Sequence, residues 1–221
     1  MKREVDLKDI SDGKLYTAND MVRADCRGCQ GCSDCCRGMG SSIVLDPLDT
    51  QRLCKGLNTD FAGLMEQYIE LNVVDGMILP NLKMQKSSDS CVFLDENGRC
   101  TMHAERPGIC RMFPLGRYYE EKGFKYFLQI HECRKADRGK VKVYKCLDTP
   151  NLKSYETFIA DWHQFLLNCE EGLHTLDEEK KRILNLYVLK VFYQTPYEAA
   201  DFYPQFYERM NAVQNTLGIG I

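Results

Sequence analysis

The sequence predicts an α+β fold, mostly helical, with small β-hairpins and a cysteine-rich loop region. Three observations predict it. Five cysteines, Cys26, Cys29, Cys32, Cys35 and Cys36, fall within residues 26–36. Turn signals at Asp75-Gly76, Asn97-Gly98 and Glu121 to Gly123 each separate apolar segments, as short hairpins require. From Ser154 onward the apolar residues fall into three successive stripes at helical spacing.

Length and composition bound the rest. The chain has 221 residues, enough for one domain over 1–221, and its 44% hydrophobic content can fill a core. A formal net charge of −3 gives no electrostatic argument for nucleic acid or an anionic membrane. The start, Met1 to Asp9, has no apolar segment of the kind a secretory signal carries. No run approaches the roughly 18 apolar residues of a membrane span. The expectation is a soluble, cytoplasmic protein. In a reducing compartment, twelve cysteines, nine of them clustered at metal spacing, favour metal ligation over a disulfide framework.

Residues 1–25 read as an extended lead-in with a short helix around Ala18 to Ala24, and Asp20 and Asp25 read as surface charges. In the cysteine loop each step up to Cys35 is C-x2-C, which lets two sulfurs reach one metal or cluster from a tight turn. Gly28, Gly31 and Gly38 supply its backbone freedom. Ser42 to Leu45 reads as a strand. Asp46-Pro47 then starts a helix, Asp as N-cap and Pro at the first helical position, running to about Cys54 and stopping at Gly56. Cys54 reads as a small buried hydrophobe. Thr59 caps a further helix whose core face is Phe61, Leu64, Met65, Tyr68 and Ile69. The stretch from Val73 to Leu82 reads as a hairpin.

Residues 91–94 and 99–102 read as two strands joined at Asn97-Gly98, which brings Cys91 and Cys100 together. Residues 104–108 turn and deliver Cys110. Arg106 and Arg111 read as loop anchors through carbonyl groups. A second hairpin over 115–130 leads to His131, Glu132 and Cys133, a strand end from which a ligand can be presented. Residues 134–150 are basic and read as irregular, with Cys146 among them. The helical region 154–217 follows. Its stripes are Tyr155, Phe158, Ile159, Trp162, Phe165 and Leu166; then Ile183, Leu184, Tyr187, Val188 and Val191; then Phe202, Phe206, Met210, Val213 and Leu217. Cys169 continues the first stripe and should be buried. His163 and His174 have no cysteine neighbours and read as structural.

Nine cysteines are clustered: the first five, then Cys91, Cys100, Cys110 and Cys133. One zinc or one iron–sulfur cluster takes four ligands, so nine exceed one mononuclear site. Two zincs, a zinc and a cluster, or two clusters all fit. The closely repeated C-x2-C step is nearer to a ferredoxin run than to a zinc ribbon, so iron–sulfur is weighed ahead of zinc. Neighbouring side chains of an extended segment point to opposite sides, so Cys35 and Cys36 can serve two metals.

These residues resemble a family. Cys29, Cys32, Cys35 and Cys36 match the CxxCxxCC signature of zinc- or iron-chelating domain proteins. Cys91 with Phe93-Leu94, Gly98 with Cys100, Arg106-Pro107, Cys110-Arg111 with Phe113-Pro114, and Cys133 continue the pattern over residues 26–135. The resemblance implies a metal centre built from eight cysteines: Cys29, Cys32, Cys35, Cys36, Cys91, Cys100, Cys110 and Cys133. Cys26 goes beyond the eight, and His103 and His131 lie near ligand cysteines in sequence. The chain is also similar to flagellin lysine methylases, which carry this cysteine domain.

Three functions follow as expectations. One is electron transfer on an iron–sulfur cluster, [4Fe–4S] first, with a redox or protein partner. Another is a zinc-stabilised structural or binding protein. The third is a protein-modifying enzyme, by analogy alone. No Gly-rich cofactor loop and no C-x3-C-x2-C run recommend the last, and no catalytic residue is assigned.

Overall fold

The computed structural model describes residues 6–29, 32–198 and 201–217; Gly31 and the side chain of Cys29 lie outside the described residues. The chain is α+β, with 44% helix and 22% strand, so it is less dominated by helix than the sequence suggests.

After a single turn, α1 (Leu7–Ile10), the lead-in forms two strands, β1 (Ser11–Tyr16) and β2 (Met21–Asp25). The helix expected over Ala18 to Ala24 is absent. Val22 and Ala24 are buried while Met21, Arg23 and Asp25 are exposed, a period of two that a strand satisfies and a helix does not. Asp20 accepts hydrogen bonds from the Thr17 N–H and hydroxyl, both at 2.7 Å, and so closes the turn between the strands.

The Asp46-Pro47 signal is realised in α2 (Pro47–Leu57). The Asp46 carboxylate accepts from Asp49 N at 2.8 Å, and the Asp49 carboxylate accepts from Asp46 N in return. The helix passes Gly56 and ends on Asn58 in left-handed backbone (φ 51°). Asp60, rather than Thr59, caps α3 (Phe61–Gln67), because its carboxylate reaches Gly63 N at 2.9 Å. Ile69 is fully buried, but it opens β3 (Ile69–Val74) rather than closing that helix. β3 pairs with β4 (Met77–Leu82) across the two-residue turn Asp75-Gly76, both at positive φ, as the sequence signal requires. Residues 42–45 do not form a full strand. They lie along β4 through a Val44–Asn81 bridge and a Leu82 N–H to Ile43 carbonyl bond of 3.0 Å.

The second cysteine region is less strand-like than expected. β5 (Met84–Gln85) pairs with β6 (Ser90–Cys91), and the Asn97-Gly98 turn closes only a Leu94–Cys100 bridge. α4 (Gly108–Met112) carries Cys110. The hairpin of β7 (Leu115–Tyr119) and β8 (Phe124–Gln129) is as expected, and β1 joins it to make the order β1-β8-β7. Residues 134–150 are not irregular. β9 (Gly139–Lys142) pairs with β2, and α5 (Val143–Leu147) follows.

α6 (Leu152–Leu173), α7 (Glu178–Leu189), a π-helical turn (Lys190–Gln194) and α8 (Phe202–Leu217) build the principal core. Phe158, Phe165, Phe192 and Phe206 have no exposed surface, and the Phe158 and Phe206 rings meet edge to face at 4.7 Å. Full burial of each such side chain contributes about 1.5–3 kcal/mol. Cys169 is fully buried, as its stripe predicts, and burial pushes its thiol pKa up to about 12. Of the second stripe, Leu184 and Val188 are buried as expected, but Ile183 is 58% exposed. A second, smaller core lies under β1, β2, β7, β8 and α5, with Val22, Tyr126 and Val143 at its centre. Ile109, Phe124 and Leu152 pack against both cores.

Candidate metal centre

Backbone contacts place Cys36, Cys91, Cys100 and Cys110 in one neighbourhood, near enough for charge on one thiol to act on another. Arg37 bridges Ser90, and Gly38 N donates to the Asp89 carbonyl at 2.8 Å, which sets Cys36 beside Cys91. The Leu94–Cys100 bridge and the Thr101 N–H to Phe93 carbonyl bond of 2.9 Å fold Cys100 back towards Cys91. α4 is held from below. Gly108 N donates to the Asp49 carboxylate at 2.8 Å, and the Arg111 guanidinium donates to the carbonyls of Arg106 (3.2 Å), Asp148 (2.8 Å) and Ala104. Arg111 is therefore the loop anchor that the sequence suggests.

The electrostatics of these four thiols are mutual. Burial pushes Cys91 up to about 11, and charge on Cys36 or Cys100 would push it further. Burial, then Cys91, holds Cys110 well above the ordinary thiol value. Cys100 is raised by burial and by Cys36, against a backbone hydrogen bond from Met102. Cys36 is the exception. A hydrogen bond from Cys35 brings it down to about 7, aided by Arg37 and Arg106 and opposed by burial.

A second group gathers around a surface pocket lined by Cys26, Cys32, Cys35 and Cys133. The Cys26 and Cys133 sulfurs are 3.6 Å apart. The β2–β9 pairing explains this, since β2 runs into Cys26 and the residues after Cys133 return as β9. An Arg134–Asp34 ion pair of 3.8 Å ties the two sides of the pocket. Cys35 and Cys36 sit in a 3-10 turn over Asp34–Cys36, not in extended backbone, with their sulfurs 3.9 Å apart. Even so, Cys35 lines the surface pocket while Cys36 belongs with the buried group.

Seven of the eight cysteines singled out by sequence thus fall into these two groups, and the side chain of the eighth, Cys29, lies outside the described residues. Sequence reasoning leaves open whether Cys26 is a ligand in place of a neighbour. Its signal was the strand period of residues 21–25, which aims the chain into the pocket. His103 and His131 are exposed, and His103 contacts the Arg106 guanidinium at 2.9 Å. Cys54 packs against the principal core and Cys146 against the smaller one. His163 stacks on Tyr119 at 3.6 Å.

Among the described residues, no three His, Cys, Asp or Glu side chains are gathered closely enough to hold an ion as they stand. The donor set nonetheless fits a metal. Burial favours the neutral thiol at Cys91, Cys100 and Cys110, and a cation reverses that balance because a coordinating thiol is deprotonated outright. Four sulfurs are the complement of a structural zinc or an iron–sulfur cluster.

Fold and site together define a cysteine-rich α+β metal-binding protein. The family model "CxxCxxCC: Putative zinc- or iron-chelating domain" matches residues 28–146, more than half of the chain. The chain belongs to that family. No curated protein and no solved structure matches it. Among the described residues, no helix is long and apolar enough to cross a membrane.

Proposed function

We propose that the cysteines hold iron–sulfur, with [4Fe–4S] as the leading form, and that the protein transfers electrons to a protein partner in a reducing compartment such as the cytoplasm. The observation that supports this reading is that Cys36, Cys91, Cys100 and Cys110 share one neighbourhood, with Cys110 within electrostatic reach of the other three, beside a C-x2-C-x2-C run. A bound cluster supplies one-electron transfer, its potential tuned by burial and by hydrogen bonds to sulfur. Anaerobic purification tests it. Iron and acid-labile sulfide at about four each per chain, with an absorption band near about 400 nm, are expected. Stoichiometric zinc without sulfide rejects it.

One observation favours zinc as the second reading. Cys91 is 9% exposed and, with Cys36, Cys100 and Cys110, packs against the principal core, where a zinc clamp would hold loops that lack a core of their own. Chelation would then unfold the cysteine region, and no redox activity would be found.

A further inference from the structure

We propose that Cys26, which precedes the residues matched by the family model, is a ligand of a second metal site at the surface pocket, together with Cys32, Cys35 and Cys133. The inference rests on the reading of the chain as a metal-binding protein and adds the composition of one site.

Three observations support it. First, the Cys26–Cys133 separation is 3.6 Å. A tetrahedral site with metal–sulfur bonds of about 2.3 Å has sulfur–sulfur edges of about 3.8 Å. The Cys26–Cys133 contact already has the span of such an edge, and it exceeds by far the roughly 2.05 Å of a disulfide. Second, the pocket brings four sulfurs to one opening. Cys26 and Cys133 come from the β2–β9 side and Cys32 and Cys35 from the loop, so one pocket is lined by four cysteines from two sides. Third, the scaffold on either side is fixed. β2 and β9 pair at Asp25–Gly139, Arg27 pairs with Asp137 at 3.5 Å, and Arg99 donates to the Gly28 carbonyl at 3.5 Å. These contacts hold the backbone of residues 25–28 where Cys26 faces Cys133.

The two sites divide the vicinal pair, Cys35 to the pocket and Cys36 to the buried group. They differ in surroundings. Cys36, Cys91, Cys100 and Cys110 pack against the principal core, whereas the four pocket cysteines are not part of that core and are bordered by Asp34, Glu132, Arg134 and Lys135. The loss of one pocket ligand should therefore leave the fold standing.

The test uses the full chain, reduced and stripped, then loaded with zinc(II) and in parallel with cobalt(II), whose thiolate charge-transfer absorption counts bound sulfur. Metal per chain is measured for the parent and for Cys26→Ser, Cys29→Ser and Cys110→Ser, with circular dichroism to verify folding. The parent should hold two equivalents. Cys26→Ser should fold, retain one equivalent, and lose cobalt–thiolate absorption in proportion. Cys26→Ser with both equivalents intact overturns the proposal. So does loss of an equivalent in Cys29→Ser while Cys26→Ser keeps two. If Cys26→Ser does not fold, Cys26→Ala and the cobalt spectrum of Cys133→Ser replace it; an unchanged spectrum in Cys133→Ser overturns the pocket site. A parent with one equivalent that only Cys110→Ser removes rejects the second site alone. A parent that binds no metal rejects the metal-binding reading itself.

Discussion

Asp49 accepts a hydrogen bond from Gly108 N at 2.8 Å across 59 residues of sequence. The same carboxylate closes the capping box of α2. One side chain thus fixes the start of a helix in the principal core and the start of α4, two residues before Cys110. Asp49 is only 2% exposed, so its oxygens have little water to fall back on.

Asp49→Ala should therefore cost more than a surface cap. It removes a cap, worth about 1 kcal/mol, and strands the Gly108 N–H, at about 1–3 kcal/mol. A total of about 2–4 kcal/mol corresponds to a fall in Tm of about 5–12 °C for a chain of this size. Asp49→Asn keeps an acceptor and should lose less. Thermal denaturation of both variants checks the order; equal losses would show that the acceptor is not what matters.

Arg111 donates to three carbonyls from a site that is 8% exposed. Lysine presents a point charge and cannot reproduce the planar fork. Arg111→Lys should destabilise the chain by about 2 kcal/mol and loosen residues 104–110. Hydrogen exchange of that segment is the measurement. Unchanged protection there would refute the anchoring role.

In the metal-free protein, thiol labelling should follow the local environments. Cys36, brought to about 7 by the hydrogen bond from Cys35, should be alkylated with a midpoint near neutrality. Cys91, pushed by burial to about 11, should resist until the solution is strongly basic. Peptide mass spectrometry after timed alkylation across pH gives both midpoints. Equal rates for the two at pH 7.5 would contradict the assignment, and zinc should protect both.

Burial, reinforced by the neighbouring Asp49, holds the Asp46 carboxyl well above the ordinary carboxylate range. The folded state then binds this proton more tightly than the unfolded one. Its contribution is fully present below the unfolded carboxylate value and is lost as pH rises through the folded value. Asp46→Asn keeps an N-cap acceptor but does not titrate. Its Tm relative to the parent should rise as the pH climbs above the ordinary carboxylate range. A pH-independent difference would show that Asp46 is ionised in the fold.

Features carried by neighbouring residues were legible in the sequence. Asp46-Pro47 starts α2, and Asp75-Gly76 turns β3 into β4, because capping and positive-φ turns are settled within four residues. The three C-terminal stripes became helices, and Cys169 lies on the buried face of the first. Misreadings arose where partners are remote. β2 and β9 pair across more than one hundred residues, so each alone looked like a weak helix or a basic loop. Ile183 matched the same helical stripe as Leu184 and Val188, but the buried face of α7 takes in Asn185 and Leu189 and leaves Ile183 outside. The Asn185 amide accepts from Ile78 N at 2.5 Å and donates to the Gly76 carbonyl at 3.2 Å, a polar contact that hydrophobic periodicity does not encode.

The cysteine spacing by itself determined the family and the chemistry of the donors, since both are local properties of the chain. Only the tertiary structure decided which sulfurs meet. Cys36, Cys91, Cys100 and Cys110 converge through a bridge, a short hairpin and a helix pinned by Asp49 and Arg111. Cys26 finds Cys133 because two strands remote in sequence pair beneath them. Such meetings depend on which distant backbone groups satisfy one another in the folded chain, and no local spacing specifies that.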